Sequence, residues 1–278
     1  MAPEIAPGAA FFDLDKTIIS KSSTLAFGAP LYKAGFLNRR MLAGAAIANL
    51  VYKMVGADHD QLEKVRDQLT NLTKGWDQRE IEELVEETVH DVVAPLVYAD
   101  ALAIIAEHRR AGRQVVIISS SPYEVVRPLA EYLGVEEVIA TRSRIGSDGK
   151  YTGELDFYAY AEGKAEAMRE MAERDHISLE DSYAYSDSAT DLPMLEAVGH
   201  PIVVNPNKEL REIAEERDWQ IMKFVTEVNL RSRLSELPRP SPTVATAAGM
   251  IGAAIVFVAM RSKNRASSLR TTPANKIS

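Results

Sequence analysis

The feature of this chain that most constrains its fold is an apolar run that ends in two acidic residues. Residues 10–17 read Ala-Phe-Phe-Asp-Leu-Asp-Lys-Thr, so Asp13 and Asp15 directly follow a hydrophobic segment. Such runs are typical of strands buried on both faces of a parallel sheet, whose carboxyl ends carry the ligand sites of open α/β folds. Because side chains alternate along a strand, the two carboxylates should point to the same side. The pair predicts a nucleophile beside a proton donor, with a hard cation such as Mg2+ relieving their repulsion.

Strand-like runs and amphipathic helices alternate through most of the chain. After the first strand at 10–15, the patterns predict strands at 114–119, 137–140, 182–186 and 201–204, a hairpin signal at 147–153, and helices at 99–111, 123–133, 162–174, 190–197 and 207–217. From about Thr24 to Pro95 the periodicity is helical and no strand interrupts it. The predicted fold class is therefore α/β, a Rossmann-like parallel sheet with helices on both faces and a helical cap inserted after the first strand.

Charge and composition exclude several kinds of protein. The chain has no cysteine, which excludes disulfides and thiolate metal sites. Its formal charge is −8, and residues 261–278 hold five basic residues and no acid, so the first 260 residues are more acidic still. An acidic body argues against a nucleic-acid surface, and a phosphate ester would need a local positive site.

The C-terminal part of the chain suggests a membrane anchor. The Pro-rich stretch 237–242 is followed at 243–260 by eighteen residues without a charge and then by a basic tail. Eighteen helical residues reach roughly 27 Å, close to the thickness of a bilayer core. No signal peptide is read at the N-terminus. The expected location is the cell membrane, single-pass, with a cytoplasmic catalytic domain, and the open alternatives for 243–260 are a buried helix or a loosely associated tail.

Four separated motifs lie near predicted strand ends and helix starts: Asp13-Leu-Asp15-Lys-Thr17, Ser119 at the end of a strand, Lys164 at a helix start, and Asp187-Ser-Ala-Thr-Asp191 after another strand. Together they resemble the haloacid dehalogenase superfamily, and within it subfamily IB, the phosphoserine-phosphatase-like branch. Their order and spacing match the branch over roughly residues 9–206.

The resemblance implies a role for each motif residue in a Mg2+-dependent phosphomonoester hydrolase. Asp13 would attack phosphorus to form an aspartyl-phosphate, and Asp15 would first protonate the leaving oxygen and then activate water. Thr17, Ser119, Ser120 and Lys164 would bind the substrate phosphate, and Thr17 would also hold Asp15 or its loop. Asp13, Asp187 and the backbone carbonyl of Asp15 would hold Mg2+, and Asp191 would support Lys164 or the outer shell of the metal.

Domain limits follow from the same resemblance and from the composition. The predicted catalytic core is 9–24 and 96–225, the cap is 25–95, the linker is 226–242, the membrane helix is 243–260 and the tail is 261–278.

Phosphoserine is not expected as the substrate. The branch carries a glutamate for the substrate ammonium five residues after the threonine, where this chain has Ser22. The alternatives left open are a phosphatase of membrane lipid phosphates and a non-catalytic membrane-tethered scaffold.

Overall fold

One mostly parallel sheet forms the centre of the protein. The structure, a computed structural model, describes residues 7–38 and 70–225. The described strands are, in chain order, β1 (Ala9–Asp13), β2 (Gln114–Pro122), β3 (Glu137–Ile145), β4 (Tyr151–Phe157), β5 (Tyr183–Ser186), β6 (His200–Val204) and β7 (Gln220–Met222). They form one seven-stranded sheet in the order β4-β3-β2-β1-β5-β6-β7. All neighbouring pairs are parallel except β3 and β4. The predicted α/β class with a parallel sheet is confirmed.

Helices cover both faces of this sheet. The described helices are α1 (Ser23–Ala26), α2 (Gly28–Lys33), α3 (Gln78–Val93), α4 (Ala99–Arg110), α5 (Tyr123–Tyr132), α6 (Glu162–Asp175), α7 (Leu192–Glu196) and α8 (Lys208–Glu216), with a 3-10 turn at Ala189–Asp191. Phe12 packs in the apolar cluster that contains residues of α3, α4 and α5, whereas its neighbour Phe11 packs with residues of α6, α7 and α8. Consecutive strand residues point to opposite faces, so β1 contributes to both cores.

Strand β1 lies in the middle of the sheet because four of its five residues are apolar. The fifth residue, Asp13, lies at the strand end, where its carboxylate can find polar partners. All five residues of Ala9–Asp13 are buried. The strand pairs with β2 on one side, where Asp13 faces Ile118, and with β5 on the other side. The carboxyl ends of β1, β2 and β5 therefore meet at one edge of the sheet.

The region after β3 differs from a purely parallel pattern. Strand β4 turns back on β3, with Arg142 opposite Phe157 and Ile145 opposite Tyr151. The hairpin signal at 147–153 indicated this turn. Strand β7 was not predicted, because three residues at a sheet edge are too few to show a period of two.

The described part of the cap packs on the core and on the β3–β4 hairpin. Asp77 is the N-cap residue of α3, and its carboxylate accepts from the backbone N–H groups of Arg79 and Glu80. Just before it, the Gly75 backbone N–H donates to the Tyr151 carbonyl at 2.9 Å. Ile81 and Val85 of α3 are buried in the core cluster. The remaining predicted cap residues, 39–69, lie outside the described residues.

A buried histidine links α4 to the sheet. His108 is 4% exposed, and its Nε2 atom lies 2.7 Å from the Tyr185 hydroxyl oxygen. The Tyr185 ring in turn stacks on Phe12 with centroids 4.3 Å apart. Burial, and to a smaller extent the charge of Arg113, together lower the pKa of His108 to about 4. The imidazole is therefore neutral at pH 7.

The membrane prediction needs correction. Its segment 243–260, together with 226–242 and 261–278, lies outside the described residues. Within residues 7–38 and 70–225, no helix is both long and apolar enough to cross a bilayer. Helix α3, with 16 residues, extends about 24 Å, less than a hydrocarbon core of about 30 Å. The predicted single-pass location with a cytoplasmic catalytic domain is therefore wrong for the described residues, and nothing in them supports the lipid-phosphate alternative.

Candidate active site

The predicted site residues converge at the carboxyl edge of the three central strands. Asp13 ends β1, Ser119 lies near the end of β2, and Asp187 directly follows β5. Lys164 lies in the first turn of α6, and Asp191 closes the 3-10 turn that precedes α7. All five are at least nine-tenths buried. Residues up to 178 positions apart in the chain thus meet because parallel strands end at a common edge.

Lys164 is the centre of a buried ion-pair network. Its Nζ atom donates to Asp13 Oδ1 at 2.6 Å and to Asp191 at 2.9 Å, and the lysine is only 2% exposed. Burial alone would lower the pKa of the Lys164 ammonium, but the carboxylates of Asp13 and Asp191 outweigh burial and raise it above its ordinary value. Lys164 therefore remains charged, and it places a positive group at the edge of the sheet where these carboxylates meet.

Asp191 is held by a second donor besides Lys164. The Ser186 hydroxyl donates to Asp191 Oδ2 at 2.7 Å, and Ser186 is fully buried at the end of β5. The two donors fix the carboxylate, and the carboxylate in turn fixes the lysine. Ser186 was not singled out in the sequence, although its place between a strand and Asp187 was a signal that could have identified it.

The lysine is also positioned by an unusual turn. Residues 160–163 form a tight turn in which the Gly163 backbone N–H donates to the Tyr160 carbonyl at 3.0 Å. Ala161 in this turn has φ 49° and ψ −119°, a conformation that suits glycine better than alanine. A Cβ atom on Gly163 would lie 2.4 Å from the Tyr158 carbonyl oxygen, so only glycine fits directly before Lys164.

Negative charge exceeds positive charge in the buried cluster. Asp13, Asp187 and Asp191 are 6%, 8% and 3% exposed, and Lys164 is the buried cation that faces them. With all four ionised, the cluster carries a net charge of about −2, which one divalent cation would balance. Burial is the main cause that raises the pKa of Asp13 above its ordinary value and the pKa of Asp187 to about 6, and the charge of Lys164 lowers both pKa values without cancelling this rise.

The donor set fits a magnesium ion better than a metal that needs many protein ligands. Among residues 7–38 and 70–225, no three acidic or histidine side chains gather into a metal site by themselves. Mg2+ is commonly held by one or two carboxylates, with water and substrate phosphate completing its shell. Asp13 and Asp187 supply oxygen ligands of that kind. The exposed Lys16 ammonium lies 3.9 Å from Asp187 Oδ2, and at this distance on the surface it compensates little.

Asp15 has hydrogen-bond partners that differ from those of Asp13. Its Oδ1 atom accepts from the Ser23 backbone N–H at 2.8 Å, and its Oδ2 atom accepts from the Ser121 hydroxyl at 3.3 Å. Asp13 is thus paired with a cation, whereas Asp15 is paired with neutral donors. The two carboxylates have different surroundings, as expected for two different roles.

The remaining predicted residues occupy different positions at the same edge. Thr17 is fully buried, and its hydroxyl has no hydrogen-bond partner in the part of the chain that the structure describes. Ser119 is 1% exposed, and its hydroxyl accepts from the Ser121 backbone N–H at 3.2 Å. Ser120 is exposed, and its carbonyl accepts from the Thr141 hydroxyl. Phosphate binding by these three residues stays a prediction.

The position that concerns substrate choice lies at the start of α1. Ser22 is the N-cap residue of that helix, and its side chain makes no capping hydrogen bond.

Comparison with protein families identifies the group to which these features belong. Residues 10–196, about two thirds of the chain, match the family model described as haloacid dehalogenase-like hydrolase. This range begins at β1 and extends through the Asp187–Asp191 motif, so it includes all the predicted site residues.

Curated relatives agree with this assignment. The chain is 50% identical over 244 residues to a probable phosphatase of Mycobacterium tuberculosis, which covers 88% of this chain and 84% of that protein. It is 47% identical over 261 residues to the inhibition of morphological differentiation protein of Streptomyces azureus, covering 93% and 94%. It is 31% identical over 259 residues to a phosphoserine phosphatase of Mycobacterium tuberculosis, covering 92% and 82%.

A solved structure shows the same fold. A Bordetella pertussis protein whose function is described as unknown superposes with a TM-score of 0.69 at 29% identity, and the match covers 78% of this chain and all but 2% of that one. The family match, the curated relatives and the solved structure all agree with the four sequence motifs. The chain therefore belongs to the haloacid dehalogenase-like hydrolases, with named phosphatases among its relatives, and the prediction of an enzyme of this family is confirmed.

Proposed function

We propose that this protein is a Mg2+-dependent phosphomonoester hydrolase that works through an aspartyl-phosphate on Asp13. The observation that carries the proposal is the contrast between the two motif carboxylates. Asp13 is buried beside Lys164 at 2.6 Å, whereas the described donors to Asp15, the Ser23 backbone N–H and the Ser121 hydroxyl, are neutral. One environment suits a nucleophile that must receive an anionic phosphoryl group, and the other suits a group that exchanges a proton with the leaving oxygen.

The first half of the reaction transfers the phosphoryl group to Asp13. A carboxylate oxygen of Asp13 forms a bond to phosphorus while the bond from phosphorus to the ester oxygen breaks. The leaving oxygen takes the electron pair and accepts a proton from Asp15, and the alcohol departs. Lys164, which stays charged, neutralises charge on the phosphoryl oxygens and holds Asp13 in position.

The second half returns the enzyme to its starting state. Asp15, now deprotonated, takes a proton from a water molecule whose oxygen attacks phosphorus. The bond from phosphorus to Asp13 breaks, inorganic phosphate leaves, and both carboxyls are restored. Asp13, Asp187 and the backbone carbonyl of Asp15 would hold Mg2+, which would offset the excess negative charge of the cluster and of the substrate.

Substrates other than phosphoserine fit this chain better. Ser22 stands where the phosphoserine phosphatases carry a carboxylate, and a neutral hydroxyl is a poor partner for an ammonium group. The relative named phosphoserine phosphatase shares 31% identity, so its substrate does not transfer to this chain by similarity alone.

The experiment is phosphate release by the full chain with Mg2+ across a panel of small phosphate esters. Asp13→Asn keeps the size of the side chain and removes the nucleophile, so we expect its activity to disappear. A matched pair in the panel is phosphoserine and its analogue without the amino group, for which we expect similar kcat/KM values. Near wild-type turnover by Asp13→Asn would contradict the mechanism, and a strong preference for phosphoserine would contradict the substrate proposal.

A further inference from the structure

Two serines far apart in the chain form a hydrogen-bonded clamp on Asp15. We call Ser23 and Ser121 together the hydroxyl clamp. The Ser23 backbone N–H donates to Asp15 Oδ1 at 2.8 Å, and the Ser121 hydroxyl donates to Asp15 Oδ2 at 3.3 Å. The Ser23 hydroxyl donates to the Ser121 hydroxyl oxygen at 2.8 Å. Both oxygens of the Asp15 carboxyl are therefore engaged by the clamp.

The clamp is buried and comes from two different elements of the fold. Ser23 is fully buried and begins α1, whereas Ser121 is 5% exposed and lies at the end of β2. A register shift between β2 and β3 falls between Ser119 and Pro122, so Ser121 lies where the regular ladder is interrupted. At this irregular strand end, the Ser121 hydroxyl is directed to the carboxylate of Asp15, which follows the neighbouring strand β1.

The hydroxyl groups of the clamp donate in one direction, from Ser23 to Ser121 and from Ser121 to Asp15. Ser121 has a single hydroxyl proton, and it is donated to Asp15. The Ser121 oxygen accepts from Ser23, and Thr24 Oγ1 lies 3.2 Å from the same oxygen. Ser23 therefore fixes the rotation of the Ser121 hydroxyl, and Ser121 fixes the rotation of the Asp15 carboxyl.

We propose that Ser23 and Ser121 are positioning residues that orient Asp15 for proton transfer to the leaving oxygen. The inference rests on the proposed function, in which Asp15 is the proton donor. A carboxyl group without such contacts rotates about its side-chain bonds, and small displacements of a catalytic group cost large factors in rate. The clamp itself exchanges no proton with substrate, so its effect reaches the reaction only through Asp15.

The need for a positioned acid depends on the leaving group, and this dependence gives a direct test. A nitrophenolate ion is stable in water and departs with little help from an acid, whereas an unsubstituted phenol is a poorer leaving group and needs its proton. A series of substituted phenyl phosphates varies this need while it keeps the size of the substrate nearly constant. The quantity kcat/KM reports only steps up to the departure of the phenol, so the later role of Asp15 with water does not enter.

The experiment measures kcat/KM with Mg2+ for the full chain on p-nitrophenyl phosphate, phenyl phosphate and intermediate members of the series. The variants are Ser121→Ala, Ser23→Ala and the reference Asp15→Asn, with Thr24→Val as the matched control. Thr24 contacts Ser121 but makes no described contact with Asp15. Ser121→Thr keeps a hydroxyl and tests rescue, and circular dichroism with thermal melting checks that each variant is folded.

We expect Ser121→Ala to lower kcat/KM about tenfold or more on phenyl phosphate but less than about threefold on p-nitrophenyl phosphate. A tenfold loss is a part of the factor of about 10² to 10⁴ that general acid catalysis supplies as a whole. Ser23→Ala should show the same trend more weakly, because its backbone N–H remains. Thr24→Val should leave the dependence on the leaving group unchanged. Ser121→Thr should recover part of the loss on phenyl phosphate.

Equal losses on all esters, or no loss on any, in a folded Ser121→Ala variant would overturn the clamp inference while wild-type activity still supported the proposed function. Failure of the wild type on every ester would overturn the proposed function, and the inference with it. A change in the dependence on the leaving group with Asp15→Asn but not with Ser121→Ala would show that Asp15 is the acid and that the clamp is not needed to position it.

Discussion

Replacement of Lys164 by methionine tests the buried charge network that defines the site. The lysine is 2% exposed and lies 2.6 Å from Asp13 and 2.9 Å from Asp191. Methionine has a similar length and fits a buried position, so the substitution removes the charge and leaves little empty volume. It leaves Asp13 and Asp191 buried without their common partner.

The magnitude follows from these distances and from burial. At an effective dielectric constant of about 20, each attraction at these distances amounts to roughly 6 kcal/mol before the cost of removing the charges from water. The cost of removing the charges from water offsets most of this attraction. Removing one partner of a buried ion pair nevertheless destabilises a protein by about 3–5 kcal/mol, because the other charge stays buried without compensation. If the free energy of unfolding falls by about 3 kcal/mol for each molar of urea, the urea concentration at the unfolding midpoint should fall by about 1 to 2 M.

The assay is urea unfolding of the full chain, monitored by circular dichroism without added metal. Lys208→Met is the matched control, because Lys208 is a highly exposed lysine that, among the described residues, forms an ion pair with Glu212 alone, on the surface. We expect the control to unfold with the wild type. The double variant Lys164→Met with Asp13→Asn should lose less than the sum of the single variants, because the amide leaves one fewer unpaired charge.

The reasoning would be refuted if Lys164→Met unfolded at the same urea concentration as Lys208→Met. It would also be refuted if the double variant lost the full sum, since Asp13 and Lys164 would then act independently. In either case the 2.6 Å contact would not be an energetically significant ion pair.

Three further predictions follow from particular buried residues. The pKa of His108 is lowered from 6.5 to about 4, mainly by burial, so the unfolded chain binds a proton more readily than the folded chain and the free energy of unfolding falls as the pH drops below 6.5. Between pH 7.5 and 4.5, the free energy of unfolding of the wild type should fall by about 2–3 kcal/mol more than that of His108→Gln, measured by urea unfolding. Equal losses in the two proteins would refute this prediction. Ala161→Gly should raise the free energy of unfolding by about 1 kcal/mol, because φ 49° suits glycine; a decrease would show that the alanine conformation is not strained. Gly163→Ala should lower phosphatase activity at least about tenfold, because its Cβ would lie 2.4 Å from the Tyr158 carbonyl oxygen and would displace Lys164; unchanged kcat/KM would contradict this.

Much of the fold could be predicted from the sequence because buried parallel strands leave an uninterrupted apolar signal. The run that ends at Asp13 and the run before Ser119 each became a central strand, and α6 formed at its predicted place. Strand β7 was missed, since three edge residues carry no readable period. The membrane location was inferred from composition alone in a segment without a charge, and no helix in the described residues supports it.

The sequence predicted those residues of the candidate site that belong to recognisable motifs. Asp13, Lys164 and Asp191 carry family spacing, and the structure places them within hydrogen-bond distance. The contacts of Ser23 and Ser121 could not be predicted, because 98 residues separate two common hydroxyl side chains and only the fold brings them together. Single polar residues of this kind have no periodicity or spacing that distinguishes them from turn residues.

The central claim is that Asp13 receives the phosphoryl group. Asp15→Asn with p-nitrophenyl phosphate should allow the first step, whose leaving group needs little protonation, and slow the second step, in which Asp15 activates water. The most direct measurement is the intact mass of this variant after rapid acid quench, with Asp13→Asn as control. The account predicts an adduct of one phosphoryl group that maps to Asp13 and is absent from the control. Turnover without any adduct, or an adduct that persists in Asp13→Asn, would contradict it.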